Sequence, residues 1–218
     1  VSTAGDVDGD GLSDLLIGAP YADSPEESGQ TYLIFGSHLN SMKQSGSGSL
    51  DLSALDGTDG ILIRGVEEYG RSGWTTEAAG DIDLDGLDDI FITVPYSGPA
   101  GRSDAGSVEV IFGSFLTEAK NSGTASFDIG TGPNPERGVV IYGTTADFET
   151  GEDTSWIGDF DGDGKPDLLL GAEDGDVSGY SNSGASYLIS GHAIDLAADG
   201  IGVAEAGVID LLTDFNLG

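Results

Sequence analysis

Apolar residues come in runs of four to six along the whole chain, and between them lie stretches of Gly, Ser and Asp. That pattern predicts many short strands joined by tight turns rather than long helices. Three runs are of one kind, LLIGAP (15 to 20), IFITVP (90 to 95) and LLLGAE (168 to 173). Each is followed by a polar loop and a second strand, TYLIFGS (31 to 37), SVEVIFGS (107 to 114) and SYLISG (186 to 191). A third strand is read at ILIRG (61 to 65) and VVIYG (139 to 143). A fourth is read at RSGWTTEAAGD (71 to 81) and TSWIGD (154 to 159), with Trp74 and Trp156 in similar register as core residues. Four strands per repeat describe a propeller blade, so the fold class expected is an all-β propeller of four-stranded antiparallel blades, about three of them here. Insertions at 37 to 60, 114 to 138 and 192 to 218 separate the second strand from the third; SLDLSAL and SFDIG within them suit a short edge strand or a turn of helix.

The loops between a fourth strand and the next first strand carry the chemistry. They read GDVDGDGLSD, GDIDLDGLDD and GDFDGDGKPD, one frame D-x-D-x-D-G-x-x-D beginning at residues 6, 81 and 159. The acids are Asp6, Asp8, Asp10 and Asp14; Asp81, Asp83, Asp85 and Asp89; and Asp159, Asp161, Asp163 and Asp167. Four carboxylates in nine residues repel one another unless a multivalent cation neutralises them, and all-oxygen ligands without Cys point to Ca²⁺, one ion per loop and three in all. Gly11, Gly86 and Gly164 allow the tight bend, after which the backbone carbonyls of Leu12, Leu87 and Lys165 are the expected fifth donors. The frame departs from an EF-hand, because its twelfth position is Ile17, Ile92 or Leu170 inside a strand instead of a bidentate Glu before a helix.

Composition narrows the setting. With 39 Asp and Glu against 7 Lys and Arg the net charge is −32, and three Ca²⁺ would bring it only to −26. Such an excess excludes nucleic acid and anionic membrane surfaces as partners. No apolar run approaches the roughly 20 residues of a membrane helix, so no membrane insertion is expected. Weak to moderate Ca²⁺ sites fill where the ion is near millimolar, which favours a secreted or cell-surface location. The absence of Cys excludes a disulfide framework.

The acidic loop, preceded by Gly and followed by an apolar strand and Gly18-Ala19-Pro20, resembles the FG-GAP repeat of integrin α-subunit β-propellers and their bacterial relatives. The Gly-Ala-Pro half becomes Val94-Pro95 in the second repeat and Gly171-Ala172-Glu173 in the third; the Phe-Gly half is similar to Tyr69-Gly70. The resemblance implies Ca²⁺ in loops on one face of the blades and ligands on the opposite face. It also implies an extracellular, bacterial-type adhesion or interaction module with a protein or glycan ligand. The repeats run at approximately 1–65, 66–143 and 144–218 in one continuous domain. The chain is read as starting at the end of a fourth strand and stopping short of a third. Three blades fall below the four to eight or so that close a propeller. The expectation is therefore membership of a larger propeller, or self-association through open blade edges.

Other candidates rank lower. His38 and His192 follow FGS and SG where the second repeat has Phe115, a packing position. No nucleophile elbow, metalloprotease or phosphate-loop motif is present, so the expectation is no enzyme. The alternative is an accessory or catalytic propeller of a secreted polysaccharide-degrading enzyme, since 27 acids lie outside the loops and carboxylate pairing is spatial. The ligand face is expected in 21 to 30, 97 to 106, 173 to 184 and around Glu67 to Tyr69, with Arg102 and Tyr180 as contacts. Arg64, Arg71, Arg102 and Arg137 either satisfy neighbouring carboxylates or anchor an acidic ligand.

Overall fold

The structure, a computed structural model, describes residues 1–22, 26–173, 183–203 and 205–211. The first repeat runs β1 (Ser2–Gly5), β2 (Asp14–Ala19), β3 (Gln30–Ile34), helix α1 (Gly36–Ser45) and β4 (Gly60–Gly65). The second runs β5 (Thr76–Gly80), β6 (Asp89–Val94), β7 (Ser107–Ile111), α2 (Gly113–Ser122), β8 (Ser126–Ile129) and β9 (Gly138–Tyr142). The third runs β10 (Thr154–Gly158), β11 (Asp167–Ala172), β12 (Ala185–Ile189), α3 (Gly191–Ala198) and β13 (Val208–Asp210).

These strands make three sheets, the propeller blades expected from the pattern. Blade one is β1-β2-β3-β4, antiparallel throughout, with β8 added parallel to β4. Blade two is β5-β6-β7-β9 with β13 parallel to β9. Among the described residues blade three is β10-β11-β12.

Three sequence expectations change. The strand before each acidic loop pairs with the strand after it, as in Ser2↔Leu16 and Thr76↔Ile92, so it opens its own blade instead of closing the preceding one. The outer edges of blades one and two are not open, because each accepts a strand from the insertion of the next repeat. SFDI is that strand, β8, whereas SLDLSAL gives a short 3-10 turn at Leu52–Ala54. Finally, Trp156 pairs with Leu168 whereas it is Ala78 that pairs with Ile90, so Trp156 aligns with Ala78 and not with Trp74. Trp156 packs on the core beside Phe91, while Trp74 lies between Tyr21 and Tyr96.

The core lies between blades. One cluster joins Val7, Leu16, Leu33, Ile61 and Ile63 of the first repeat to Ile90, Ile92, Ile111 and Leu116 of the second. The other joins Ile82, Phe91, Val108, Val110 and Ile141 to Leu168, Leu170, Ile189 and Ile194 of the third. Alternation along β6 makes this possible, with Ile90 and Ile92 turned to one neighbour and Phe91 to the other. The third strand of each blade, β3, β7 or β12, is followed at once by a helix, an element the strand-and-turn pattern does not announce. The left-handed Gly46 and Gly123 end α1 and α2, and Ser190 Oγ accepts from Ala193 N–H at the start of α3.

Candidate metal centres

All three acidic loops sit at the same end of their blades, in the turns β1–β2, β5–β6 and β10–β11. Each loop is held by its own carboxylates. Asp6 accepts from Asp10 N–H (3.0 Å) and Gly11 N–H (2.9 Å), Asp8 from Asp10 N–H (3.1 Å) and Asp10 from Leu12 N–H (2.9 Å). Loop two repeats the same bonds from Asp85, Gly86 and Leu87 at the same distances. In loop three Asp159 accepts from Gly162 and Gly164, Asp161 from Asp163, and Asp163 from Lys165. Short Asp side chains bonding backbone two to five residues on fix the turn. Gly11, Gly86 and Gly164 adopt φ of 84°, 94° and 92°, as a tight left-handed bend requires.

The result is a convergence of oxygens. One carboxylate oxygen from each of Asp6, Asp8 and Asp10 lies within 4.8 Å of the others, and so do those of Asp81, Asp83 and Asp85. In the third loop the group is Asp159, Asp161 and Asp167. Hard anionic oxygens gathered this way fit a hard divalent cation.

The ninth position has a second job that the sequence did not reveal. Asp14 is buried, and its oxygens accept from Val7 N–H (2.9 Å) in the loop and Gly36 N–H (2.7 Å) at the start of α1. Asp89 does the same with Ile82 and Gly113, and Asp167 with Phe160, Asp161 and Gly191. Each of these carboxylates brackets its loop to a helix N-terminus, where negative charge is favoured. Gly36, Gly113 and Gly191 are needed there because a Cβ would meet backbone oxygen at 2.7, 2.6 and 2.3 Å. Burial pushes the Asp14 carboxyl up to about 6 and that of Asp89 up to about 8, with neighbouring loop acids adding to the effect. Burial also raises Asp83. A divalent cation opposes that shift by favouring the charged form.

Neighbouring blades complete the first two loops. Lys120 of α2 pairs with Asp8, and Thr117 Oγ1 donates to Val7 O (3.0 Å). Lys165 Nζ donates to Ile82 O (2.5 Å) and pairs with Asp195 of α3 (3.2 Å). Asp6 N–H donates to Asp88 Oδ2 (2.7 Å), tying loop one to loop two.

The opposite strand ends gather the expected ligand loops. Tyr69 and Arg71 N–H donate to Glu26 and Glu27 O, Ser72 N–H to Ser28 O, and Gly98 N–H to Glu67 Oε1 (2.7 Å). Arg71 stacks over Tyr21 and Tyr96 (5.1 and 4.6 Å to the ring centres) and pairs with Glu27. Gly18 lies where a Cβ would strike Gly73 O at 2.2 Å, so the Gly-Ala-Pro turn needs glycine where it passes the backbone at Gly73. All four arginines satisfy carboxylates: Arg64 with Asp128, Arg71 with Glu27, Arg102 with Asp210 and Arg137 with Glu109. The Arg102 side chain is mostly buried in that pair. Tyr180 lies outside the described residues, as do 23–25 and 174–182 of the expected ligand loops. His38 pairs with Asp59 (2.8 Å), a partner 21 residues away, and Phe115 packs edge-on to Phe127.

Comparison with known proteins agrees with this architecture. The FG-GAP repeat profile matches residues 1–34, 73–111 and 157–189, which are the three loop-bearing strand pairs with their following strands. Integrin alpha-5 of Xenopus laevis is 32% identical over 178 residues, covering 78% of this chain and 14% of the relative. Integrin alpha-IIb of Homo sapiens is 33% identical over 173 residues, covering 77% of this chain and 14% of the relative. Integrin alpha pat-2 of Caenorhabditis elegans is 29% identical over 178 residues, covering 77% and 12%. The chain belongs to the FG-GAP repeat family of integrin α-like β-propeller proteins. It spans about one seventh of the length of the first two relatives. No helix among the described residues is long and apolar enough to cross a membrane.

Proposed function

We propose that this chain is a calcium-stabilised extracellular interaction module without catalytic activity. Each loop holds one Ca²⁺ through its four Asp side chains and the main-chain carbonyl of Leu12, Leu87 or Lys165. The observation that carries the reading is the threefold recurrence of converging carboxylate oxygens in loops of one hydrogen-bonded shape. Positions one, three and five converge in two loops and positions one, three and nine in the third, so all four acids of the frame take part somewhere in the series. An oxygen already accepting one N–H keeps a second lone pair for a metal. The ions tie strands and helices together and present no activated water to a pocket, so their role is structural.

The ligand, a protein or glycan, is taken by the loops at the other ends of the strands. Support comes from the way segments 26–29, 66–75 and 95–106 are stitched into one surface around Tyr21, Trp74 and Tyr96. Isothermal titration of the metal-stripped chain should show three Ca²⁺ per chain, with no binding after all three loops carry Asp→Asn at their first position. Fewer than two ions per intact chain overturns the calcium reading. A glycan-degradation screen with and without Ca²⁺ tests the runner-up, a polysaccharide-degrading propeller; turnover in that screen would overturn the non-catalytic assignment.

A further inference from the structure

Successive acidic loops touch, and the two junctions between them are built differently. At the first, Asp88 N–H donates to Asp6 O (3.1 Å) and Asp6 N–H donates to Asp88 Oδ2 (2.7 Å), a reciprocal pair. Gly5 makes room for it: the backbone there is left-handed at φ 76°, and a Cβ would strike Asp88 Oδ2 at 2.2 Å. At the second junction the residue equivalent to Asp88 is Pro166, which has no N–H to give and no side-chain acceptor. Pro166 lies beside Gly80 as Asp88 lies beside Gly5, with its Cγ 3.2 Å from where a Cβ would stand. Among the described residues the polar link from loop three to loop two is the Lys165 side chain, which donates to Ile82 O (2.5 Å).

The reciprocal pair joins groups that belong to two metal loops. Asp6 is the first carboxylate of loop one, and its side chain accepts from Asp10 and Gly11 N–H. Asp88 N–H shares one planar peptide group with the Leu87 carbonyl, the expected main-chain donor of loop two. A cation that draws this carbonyl fixes the plane of the whole group and polarises it, which strengthens the bond its N–H gives to Asp6 O. An ordered loop two therefore offers Asp6 a fixed donor and a fixed acceptor, and loop one has less freedom left to lose when it orders in turn. Repulsion between two bound cations acts the other way. It is screened beyond about 8 Å at physiological salt, and the four carboxylates of each frame outnumber the charge of one Ca²⁺, so a filled loop stays anionic.

We propose that Asp88 is a positioning residue that couples the first two loops, so that Ca²⁺ in loop two raises the affinity of loop one. Loop three has no part in raising the affinity of loop one, because Pro166 cannot form the same pair. The inference rests on the calcium reading above and adds a dependence between sites that the shared frame does not require. By linkage the effect is reciprocal: filling loop one raises the affinity of loop two by the same factor.

Calcium titration of the full 218-residue chain, followed through the amide resonance of Gly11, reads the occupancy of loop one by itself. Asp81→Asn disables loop two and should move the Gly11 midpoint to about fivefold higher Ca²⁺, the low end of ordinary coupling between sites. Asp159→Asn disables loop three and should leave that midpoint in place. Asp88→Ala should weaken loop one by the same factor and make it indifferent to a further Asp81→Asn, the signature of a shared interaction in a double-mutant cycle. Asp88→Asn keeps an acceptor oxygen for Asp6 N–H and should restore the coupling, which separates the hydrogen bond from the charge. All variants are compared at an unchanged far-ultraviolet circular dichroism spectrum. A Gly11 midpoint that ignores Asp81→Asn while loop one still fills overturns the coupling and leaves the calcium reading standing. A Gly11 resonance that Ca²⁺ never moves overturns both. An equal shift from Asp159→Asn, or no restoration by Asp88→Asn, overturns the role given to Asp88.

Discussion

The second and third acidic loops share one frame, D-x-D-x-D-G-x-x-D, and a similar set of N–H to carboxylate bonds, yet Ile82 in one is fully buried and Phe160 in the other is 70% exposed. The difference comes from the blade that covers each loop. Helix α3 lays Ile194 and Ala197 into the core that holds Ile82, and Lys165 caps the Ile82 carbonyl. Among the described residues nothing does this for loop three. The frame thus supplies the donors and the turn, and the neighbouring blade supplies the burial. A loop of this kind is a joint between two blades as much as a candidate metal site.

Removing the proposed Ca²⁺ ions tests the part the loops share and should have the largest effect. A ligand at a hundredfold excess over its dissociation constant stabilises by about 2.7 kcal/mol, and a chain of this size moves by about 2–4 °C per kcal/mol. Three ions therefore predict a fall in melting temperature on the order of 15 °C or more in excess EDTA. A melting curve that does not move would show that the loops hold their shape without metal.

Truncating the residue that differs tests the part they do not share. Ile82→Ala empties a packed core position and should cost about 2–4 kcal/mol in denaturant unfolding. Phe160→Ala, measured in dilute solution, should stay within about 0.5 kcal/mol of the parent, because it removes little buried surface. Equal costs at the two positions would mean that loop three is buried by something other than a neighbouring blade.

Legibility in the sequence divides along the same line. The loop donors and first three strands of each repeat stand out because a frame of alternate Asp residues and runs such as LLIGAP are local signals. The outer strands stand out less: SFDIG suits an edge strand or a turn of helix, and it is β8, but its partner β4 lies in the preceding repeat, and the three-residue β13, whose partner β9 also lies in the preceding repeat, gives no signal. The helices are hard to see because ten-residue segments such as GSHLNSMKQS carry only a Leu and a Met on their apolar side; the signal is the left-handed Gly that ends two of them. The bracketing role of Asp14, Asp89 and Asp167 is invisible in a one-dimensional frame, because its partners Gly36, Gly113 and Gly191 lie 22 to 24 residues away. Trp74 misleads for a related reason: its proximity to the loop suggests equivalence with Trp156, but strand pairing sets the register.

Lysine placement gives a finer contrast between covered and uncovered loops. Lys120 puts an ammonium group beside Asp8, a carboxylate proposed to hold Ca²⁺ in loop one. That charge competes with the ion while it also ties α2 to the loop. Lys120→Met keeps most of the stem's packing and removes the charge. Calcium titration should then show one of the sites tightening by about fivefold, on the order of 1 kcal/mol for a part-screened pair. The same substitution at Lys43, which pairs with no loop carboxylate among the described residues, should leave all three affinities unchanged in dilute solution.

The smallest effect concerns the fourth position of each frame, where the backbone turns left-handed in all three loops: Gly9 at φ 72°, Leu84 at φ 62° and Gly162 at φ 83°. Loop two alone places a branched side chain there. An L-residue in that conformation costs about 1–2 kcal/mol, because its Cβ approaches the following carbonyl. Leu84 recovers little by burial, since its side chain is 59% exposed. Leu84→Gly relieves the strain, offset by the greater freedom glycine has in the unfolded chain, roughly 0.5–1 kcal/mol. The expected net is a gain of about 0.5–1 kcal/mol and a melting temperature higher by about 1–3 °C in saturating Ca²⁺. The converse change, Gly9→Leu in loop one, should lower stability by a similar amount, and its Cβ would also meet Leu87 at 3.0 Å. If Leu84→Gly melts lower than the parent, the strain at this position is smaller than the freedom glycine gains in the unfolded chain, and the left-handed leucine is not a cost to loop two.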